Sequence, residues 1–416
     1  MSNPQTKTIL ILGGSYSGIS IAHSLLKHTF PCLPNPQSYN IVLVSTSSKA
    51  MCRQATPRAM ISDSYFAQEK LIVGIEDQFR SYPKGRIEFI KGTAVNLDVE
   101  SRTVLIHASN TEAEEIKTTY YALVIATGSS TLSPLLGFTG DEAALHASWS
   151  AFREKLPPAK HIVVAGGGPS GVEVAGELGE HLNGRVGWLK DTPSKPKVRI
   201  TLLSGGDRIL PYLRPAIAQT AERYLLKLGV QIRHKERVVS VSPAGAGTTD
   251  LDSPATLTLS NGEEVTADLY IPCTGSTPNT SFAPSSLLSK DGRITTLPTG
   301  RVPGARGRIY AIGDASAAAR PAVHNIMAMV PILSSNIKRD LLLAAGRTPV
   351  GVSEQDRTFE EDTRETQLVP IGKSKGVGSA VGFRLPSFLV WLIKGRDYWL
   401  WTTGNVWSGK QWNKEV

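Results

Sequence analysis

Cysteine is scarce in this sequence: Cys32, Cys52 and Cys273 are the three in 416 residues, and no two share a CxxC or CxxxxC spacing. That excludes a disulfide framework and a redox-active cysteine pair, and it favours a reducing compartment, so an intracellular rather than a secreted protein is expected. Long apolar runs are missing too. The run at 385–393 contains Pro386 and falls far short of the ~20 residues that span a bilayer. The first residues carry no apolar leader, so no cleaved signal peptide is expected, and Ser2 stands where N-myristoylation needs glycine. Acidic residues are in deficit, 36 against 45 Lys and Arg, for a formal charge of +9. An anionic partner follows: a phosphate-bearing cofactor, an acidic membrane surface or nucleic acid. No groove-reading motif or long basic run favours nucleic acid, and no metal site is expected.

Glycine, by contrast, is plentiful at 38 residues, and its placement is informative. Residues 161–178 read as a β-branched strand, a turn with Gly166, Gly168 and Gly171, and a helix that carries Glu173 and Glu177. This is the sequence form of a dinucleotide-binding βαβ unit. Gly166 permits the sharp turn, Gly168 lets backbone N–H groups approach a pyrophosphate, and Gly171 lets helix and strand pack closely. A second strand at 197–203 completes the unit.

The same device opens the chain. A strand at 8–12 leads into Gly13, Gly14, Ser15 and Gly18, then an apolar helix. Ser15 replaces the middle glycine; its Cβ narrows the approach to a phosphate, although its hydroxyl can bond one. The strand at 39–44 ends in Ser45 where an acid normally holds a ribose. The basic segment 49–67, with Cys52, Arg53 and Arg58, reads either as a solvated loop or as a stretch reaching a cofactor. Segments 86–90 and 102–106 read as strands of a small antiparallel layer, and Asn261-Gly262 as a two-residue type I′ hairpin turn. Strands ending in Thr127-Gly128 and Thr274-Gly275 close the two units alike. Thr127, Gly128 and Gly275 join Gly313 among the cofactor-facing residues. The strand at 307–312 runs into Gly313-Asp314, and a helix is predicted over 322–343.

With two glycine turns, two strand-Thr-Gly endings and Gly313-Asp314 in this order, the chain resembles the pyridine-nucleotide:flavin oxidoreductases. Within them it is most similar to the apoptosis-inducing-factor-like ferroptosis suppressors and, more distantly, to the type II NADH:quinone dehydrogenases. Residues 372–378 and 392–397 look like that group's small terminal domain. The fold implied is α/β: two Rossmann-like dinucleotide-binding domains, for FAD and NAD(P)H, plus a small C-terminal α+β domain. The expected division is 1–155 and 276–346 for FAD, 156–275 for NAD(P)H and 347–416 for the terminal domain. The resemblance implies that Gly13 to Gly18 hold the FAD pyrophosphate, that Asp314 bonds the cofactor near its ribityl-phosphate, and that Gly166 to Gly171 hold NAD(P)H. It places Glu173 beside nicotinamide and flavin. The bland alternatives are a helix-surface acid for Glu173 and a capping aspartate for Asp314. At the end of the strand 197–203, Ser204 removes the repulsion against a 2′-phosphate and Arg208 reads either as a partner for one or as a surface salt-bridge partner of the adjoining Asp207, so NADPH is favoured without excluding NADH.

Five of seven tryptophans, Trp391, Trp399, Trp401, Trp407 and Trp412, crowd the C-terminal region beside Lys394, Arg396 and Lys410. Such a mixture suits either a lipid interface, through 383–412, or a domain packed over the flavin; both suit a flat apolar acceptor such as a quinone. His324 reads as a proton donor to the flavin or as a core histidine. The leading expectation is an FAD-dependent NAD(P)H oxidoreductase with a quinone-like acceptor, cytoplasmic or peripheral on an organelle membrane. Its rivals are a biosynthetic flavoenzyme acting on a specialised metabolite and a non-enzymatic basic binder of nucleic acid or membranes.

Overall fold

A computed structural model of the chain describes residues 6–109, 115–187, 193, 195–305, 307–347 and 355–415. The strand β1 (Lys7–Leu12) is apolar on both faces, with Ile9 to Leu12 wholly buried, as a strand covered from both sides requires. It pairs in parallel with β2 (Tyr39–Ser45) on one side and with Ala122–Ile125 on the other. Ile309–Ala311 and the first residues of Ile87–Asp98 extend this parallel layer at its two edges. A second sheet repeats the plan: β3 (His161–Ala165) lies between β4 (Arg199–Ser204) and Leu269–Pro272, with β5 (Val230–His234) outside β4. In both sheets the strand order reverses beside the first strand of the unit. Ligands of open α/β sheets bind in the crevice beyond the carboxyl ends at such a point.

The helices α1 (Tyr16–Ser24) and α2 (Pro169–Leu182) follow the two glycine turns, and α3 (Val323–Ala344) packs against α1. The two units are tied where the chain crosses between them. Ser129–Thr131 pairs antiparallel with Ser276–Pro278, and Asn279 bonds Thr127 through both its backbone carbonyl and its side-chain amide. The C-terminal part is a three-stranded antiparallel sheet, Gln367–Ile371, Lys375–Ala380 and Phe383–Arg384, followed by short helices. Its first strand runs tight against α2: a Cβ on Gly176 would lie 3.1 Å from the Gly372 nitrogen.

Three expectations need correction. Residues 87–91 pair in parallel with β2, and only the later half of that long strand, from Gly92, joins the antiparallel layer with Thr103–Ala108. The Asn261-Gly262 connection spans four residues, and only Gly262 takes positive φ, so it is not a type I′ turn. The segment 49–67 is no solvated loop. Lys49–Met51 pairs with Ile72–Gly74, and Cys52 and residues 55–61 are buried.

The tail returns to the first unit. Trp407 and Trp412 are buried there, with the Trp407 ring 4.5 Å from Tyr16. His23 on α1 is fully buried; its Nδ1 meets the Tyr82 hydroxyl at 2.8 Å and its Nε2 the Trp407 carbonyl at 2.8 Å. His28 reaches the Trp412 carbonyl at 2.7 Å, and Lys338 pairs with Glu415. Burial pushes the His23 imidazole down from 6.5 to about 4. The unfolded chain therefore binds a proton that the folded one refuses, so the stabilisation is complete above pH 6.5 and is lost as pH falls toward 4. The ceiling is about 3 kcal/mol. Urea unfolding across that window is expected to show this loss in the wild type and a flatter profile in His23→Gln; equal slopes would contradict the latch.

Candidate active site

The two glycine turns are built alike. At Gly13 and Gly166 φ is +118° and +128°, and any Cβ would strike the backbone of Ala126 or Cys273 on the neighbouring strand. At Gly18 and Gly171 a Cβ would collide with the carbonyl oxygens of Gly13 and Gly166, so the third glycine sets how closely helix and turn pack. Gly168 differs, because nothing lies within 4 Å of its added Cβ. The missing side chain leaves open space at the N-terminus of α2, where unpaired N–H groups favour an anion. In the first turn Ser15 holds the corresponding N-cap position, exposed and with no side-chain bond to its own helix. Both cradles fit a pyrophosphate.

The second strand of each unit ends against the middle of its turn. A Cβ on Gly14 would lie 2.9 Å from the Ser45 hydroxyl, and one on Gly167 would strike that of Ser204. Across the mouth of the first sheet, Ser129 Oγ donates to Asp314 at 2.9 Å, and Arg53 donates to the Ser129 carbonyl at 2.8 Å. Burial draws the Arg53 guanidinium below its ordinary value, while Asp314 pulls the other way. Gly313 presses on the first turn of α1, where a Cβ would collide with Ser17 Oγ. Asp314, Arg53 and Ser129 therefore gather beside the first glycine turn.

Glu173 and Glu177 project from α2 toward the C-terminal segment, one turn apart and both buried. Lys394 Nζ meets Glu173 Oε1 at 2.6 Å and also donates to the Leu368 carbonyl. Burial pushes the Glu173 carboxyl above its ordinary value, against the pull of Lys394. Arg58 pairs with Glu177 through Nε at 2.9 Å and Nη2 at 2.8 Å, and donates to the carbonyls of Gly372, Gly395 and Arg396. Tyr398 adds its hydroxyl to Glu177 at 2.9 Å and lies under the Arg58 guanidinium. Tyr398 and Trp399 both take positive φ, 52° and 70°, a strained turn held at the point where the segment meets α2.

Two expected sites fall elsewhere. A guanidinium has five N–H donors, and those of Arg58 are taken up by Glu177 and three carbonyls, so Arg58 has none left for a cofactor. His324 stands exposed at the start of α3, in the ionic surroundings of Arg320, Glu361 and Asp362. Partial desolvation among these neighbours, together with Arg320, holds its imidazole below its ordinary value. Thr127 is engaged by Asn279. Cys52 lies buried against the Tyr398 carbonyl, and burial pushes its thiol up to about 11, so it stays protonated. The sequence reading missed Lys394 as a partner of Glu173; its one signal is a lysine that closes the apolar stretch 388–393.

A family model described as pyridine nucleotide-disulphide oxidoreductase matches residues 7–331. The chain belongs to that family. It is an oxidoreductase, and FAD and NAD(P)H are its cofactors; the disulphide of the family's name has no counterpart, since all three cysteines are free. Oxidoreductase phnG of Penicillium herquei is 55% identical over 410 residues, covering 98% of this chain and 97% of that one. Ferroptosis suppressor protein 1 of Xenopus tropicalis is 25% identical over 405 residues, covering 95% of each. Among solved structures, NDH2 of Plasmodium falciparum in complex with NADH shares the fold with a TM-score of 0.67 at 14% identity, over 99% of both chains.

Removing one member of a buried, fully bonded ion pair leaves an uncompensated charge and costs about 3–5 kcal/mol. Arg58→Met and Glu177→Leu are each expected to lose that much stability in urea, and the double variant less than either alone. Additive losses in the double-mutant cycle would contradict a coupled pair.

Proposed function

We propose that this protein is an FAD-dependent NAD(P)H oxidoreductase that passes electrons to a quinone-like or other small organic acceptor. The observation that carries the proposal is the buried Glu173–Lys394 pair, formed where the helix of the second dinucleotide unit meets the C-terminal segment. Bound FAD supplies hydride acceptance and electron delivery. The first turn, with Gly13, Gly14, Ser15 and Gly18, holds the FAD pyrophosphate on the N-terminus of α1. Ser45, Gly313 and Asp314 bond its sugar and ribityl-phosphate portions, while Arg53 offsets negative charge at the same mouth and Gly128 and Gly275 keep the crossing strands clear. Gly166, Gly168 and Gly171 hold the nicotinamide nucleotide, with Ser204 and Arg208 beside its adenosine ribose.

Glu173 is the catalytic residue, and Lys394 shares its proton. A quinone that gains an electron pair must also gain protons, and a carboxyl raised by burial beside an ammonium is a proton store in a region closed to water. The acceptor's route is apolar. Phe388, Leu392 and Trp401 are 65%, 45% and 58% exposed on the stretch that delivers Lys394, a face suited to peripheral contact with a membrane that carries the acceptor. No helix among the described residues is long and apolar enough to cross a membrane.

Stopped-flow flavin reduction and steady-state quinone turnover test the proposal. Glu173→Gln and Lys394→Met are expected to lower quinone turnover by roughly 10²–10⁴-fold while the flavin spectrum is retained. Gly168→Trp is expected to abolish reduction by NAD(P)H without loss of flavin. Unchanged rates in all three would overturn the proposal, and flavin reduction by an organic substrate without NAD(P)H would move the assignment to a metabolite-oxidising enzyme.

A further inference from the structure

We infer that Arg237 reads the 2′-phosphate of NADPH and makes it the preferred nucleotide, an inference that rests on the nucleotide-binding role proposed above for the second glycine turn. In a dinucleotide-binding unit the end of the second strand lies beside the adenosine ribose, where a carboxylate bonds the 2′-hydroxyl and repels a 2′-phosphate. Here that strand is β4, and it ends in Ser204, whose hydroxyl donates to the Arg208 carbonyl at 3.0 Å. Gly205 and Gly206 follow, so the strand end offers neither acid nor base of its own.

The exit of the neighbouring strand β5 fills the space. Lys235 N donates to the Gly206 carbonyl at 3.0 Å and Glu236 N to the Ser204 carbonyl at 3.1 Å, which fastens 235–237 alongside 204–206. Lys235 takes φ of +59°, a left-handed turn that a lysine adopts only at a cost. The turn lays Arg237 across Gly205. A Cβ on Gly205 would lie 2.9 Å from Arg237 Cγ and Nε and 3.1 Å from its Cζ. A side chain at 205 would push the Arg237 side chain from this position.

The charges around it are arranged for an anion. Asp207 is engaged by Lys235 at 3.1 Å, and Glu236 and Glu263 by Arg233 at 2.6 and 2.5 Å. Arg237 has no carboxylate partner among the described residues, while Arg208 turns its Nη2 to the Pro211 carbonyl and its Nε into the protein. The Arg237 guanidinium therefore lies across the glycine that follows β4 while Asp207, Glu236 and Glu263 are paired elsewhere. A 2′-phosphate supplies the acceptor oxygens it lacks, whereas the 2′-hydroxyl of NADH supplies no charge. This reading was hidden in the sequence because Arg237 lies more than thirty positions beyond Ser204 and reaches it only through the parallel pairing of β4 with β5.

The test is calorimetric binding of 2′,5′-ADP and 5′-AMP to the flavin-loaded protein, since these probes differ only by the 2′-phosphate. The wild type is expected to bind 2′,5′-ADP about tenfold or more tightly than 5′-AMP, with a gap that narrows as salt rises. Arg237→Ala is expected to remove most of that ratio while 5′-AMP affinity moves less than about twofold; Arg237→Lys restores part of it. Ser204→Asp is expected to lower the same ratio by placing a carboxylate beside the phosphate. An unchanged ratio in Arg237→Ala, or equal weakening of both probes, overturns the inference and leaves the proposed function standing. Failure of the wild type to bind either probe overturns both.

Discussion

The buried pair of Arg58 and Glu177 is the constraint on which the rest of the site depends. Arg58 comes from the first dinucleotide unit, Glu177 from the helix of the second, and the carbonyls of Gly372, Gly395 and Arg396 from the C-terminal segment. Burying an arginine is costly unless its donors are met. All of them are met only when these three parts of the chain stand in one arrangement. The pair thus works less as a source of stability than as a condition on geometry. The same arrangement brings Lys394 onto Glu173 one helical turn away.

The C-terminal segment is held at both of its ends, by different chemistry. At its inner end the holding groups are charged and buried, and they lie at the junction of the units. At its outer end His23 and His28 take hold of the backbone carbonyls of Trp407 and Trp412, and the buried His23, held neutral, carries no charge into the core. Between the two lies a stretch that turns Lys394 inward and Phe388, Leu392 and Trp401 outward. One short piece of chain therefore presents a charged group to the interior and an apolar face to the outside, as the proposed transfer of electrons to an apolar acceptor requires.

The fold was largely legible in the sequence, because strand, glycine turn and helix leave a local pattern, and it occurs at Gly13–Gly18 and again at Gly166–Gly171. Ser45 and Ser204 were legible as strand-end positions for the same reason. What was not legible depends on partners far apart in the chain. Arg58 read as a basic loop residue free to meet a phosphate, and nothing near it in sequence announces Glu177. Lys394 read as one cation in an aromatic-rich tail, since the partners that hold it inward, Glu173 and the Leu368 carbonyl, lie far from it in sequence. His324 follows Asp314 closely in sequence, but on the first turn of α3 it is exposed. The tail's tryptophans divide by burial, with Trp407 and Trp412 packed in the core and Trp401 exposed.

The measurement that tests this account most directly is the visible absorbance spectrum of the purified protein, recorded without oxygen before and after a nicotinamide nucleotide is added. The account predicts a flavin spectrum that bleaches on addition of the reduced nucleotide and returns when a quinone is supplied. A flavin spectrum unmoved by either nucleotide, or a protein that takes up no flavin on reconstitution, would contradict it.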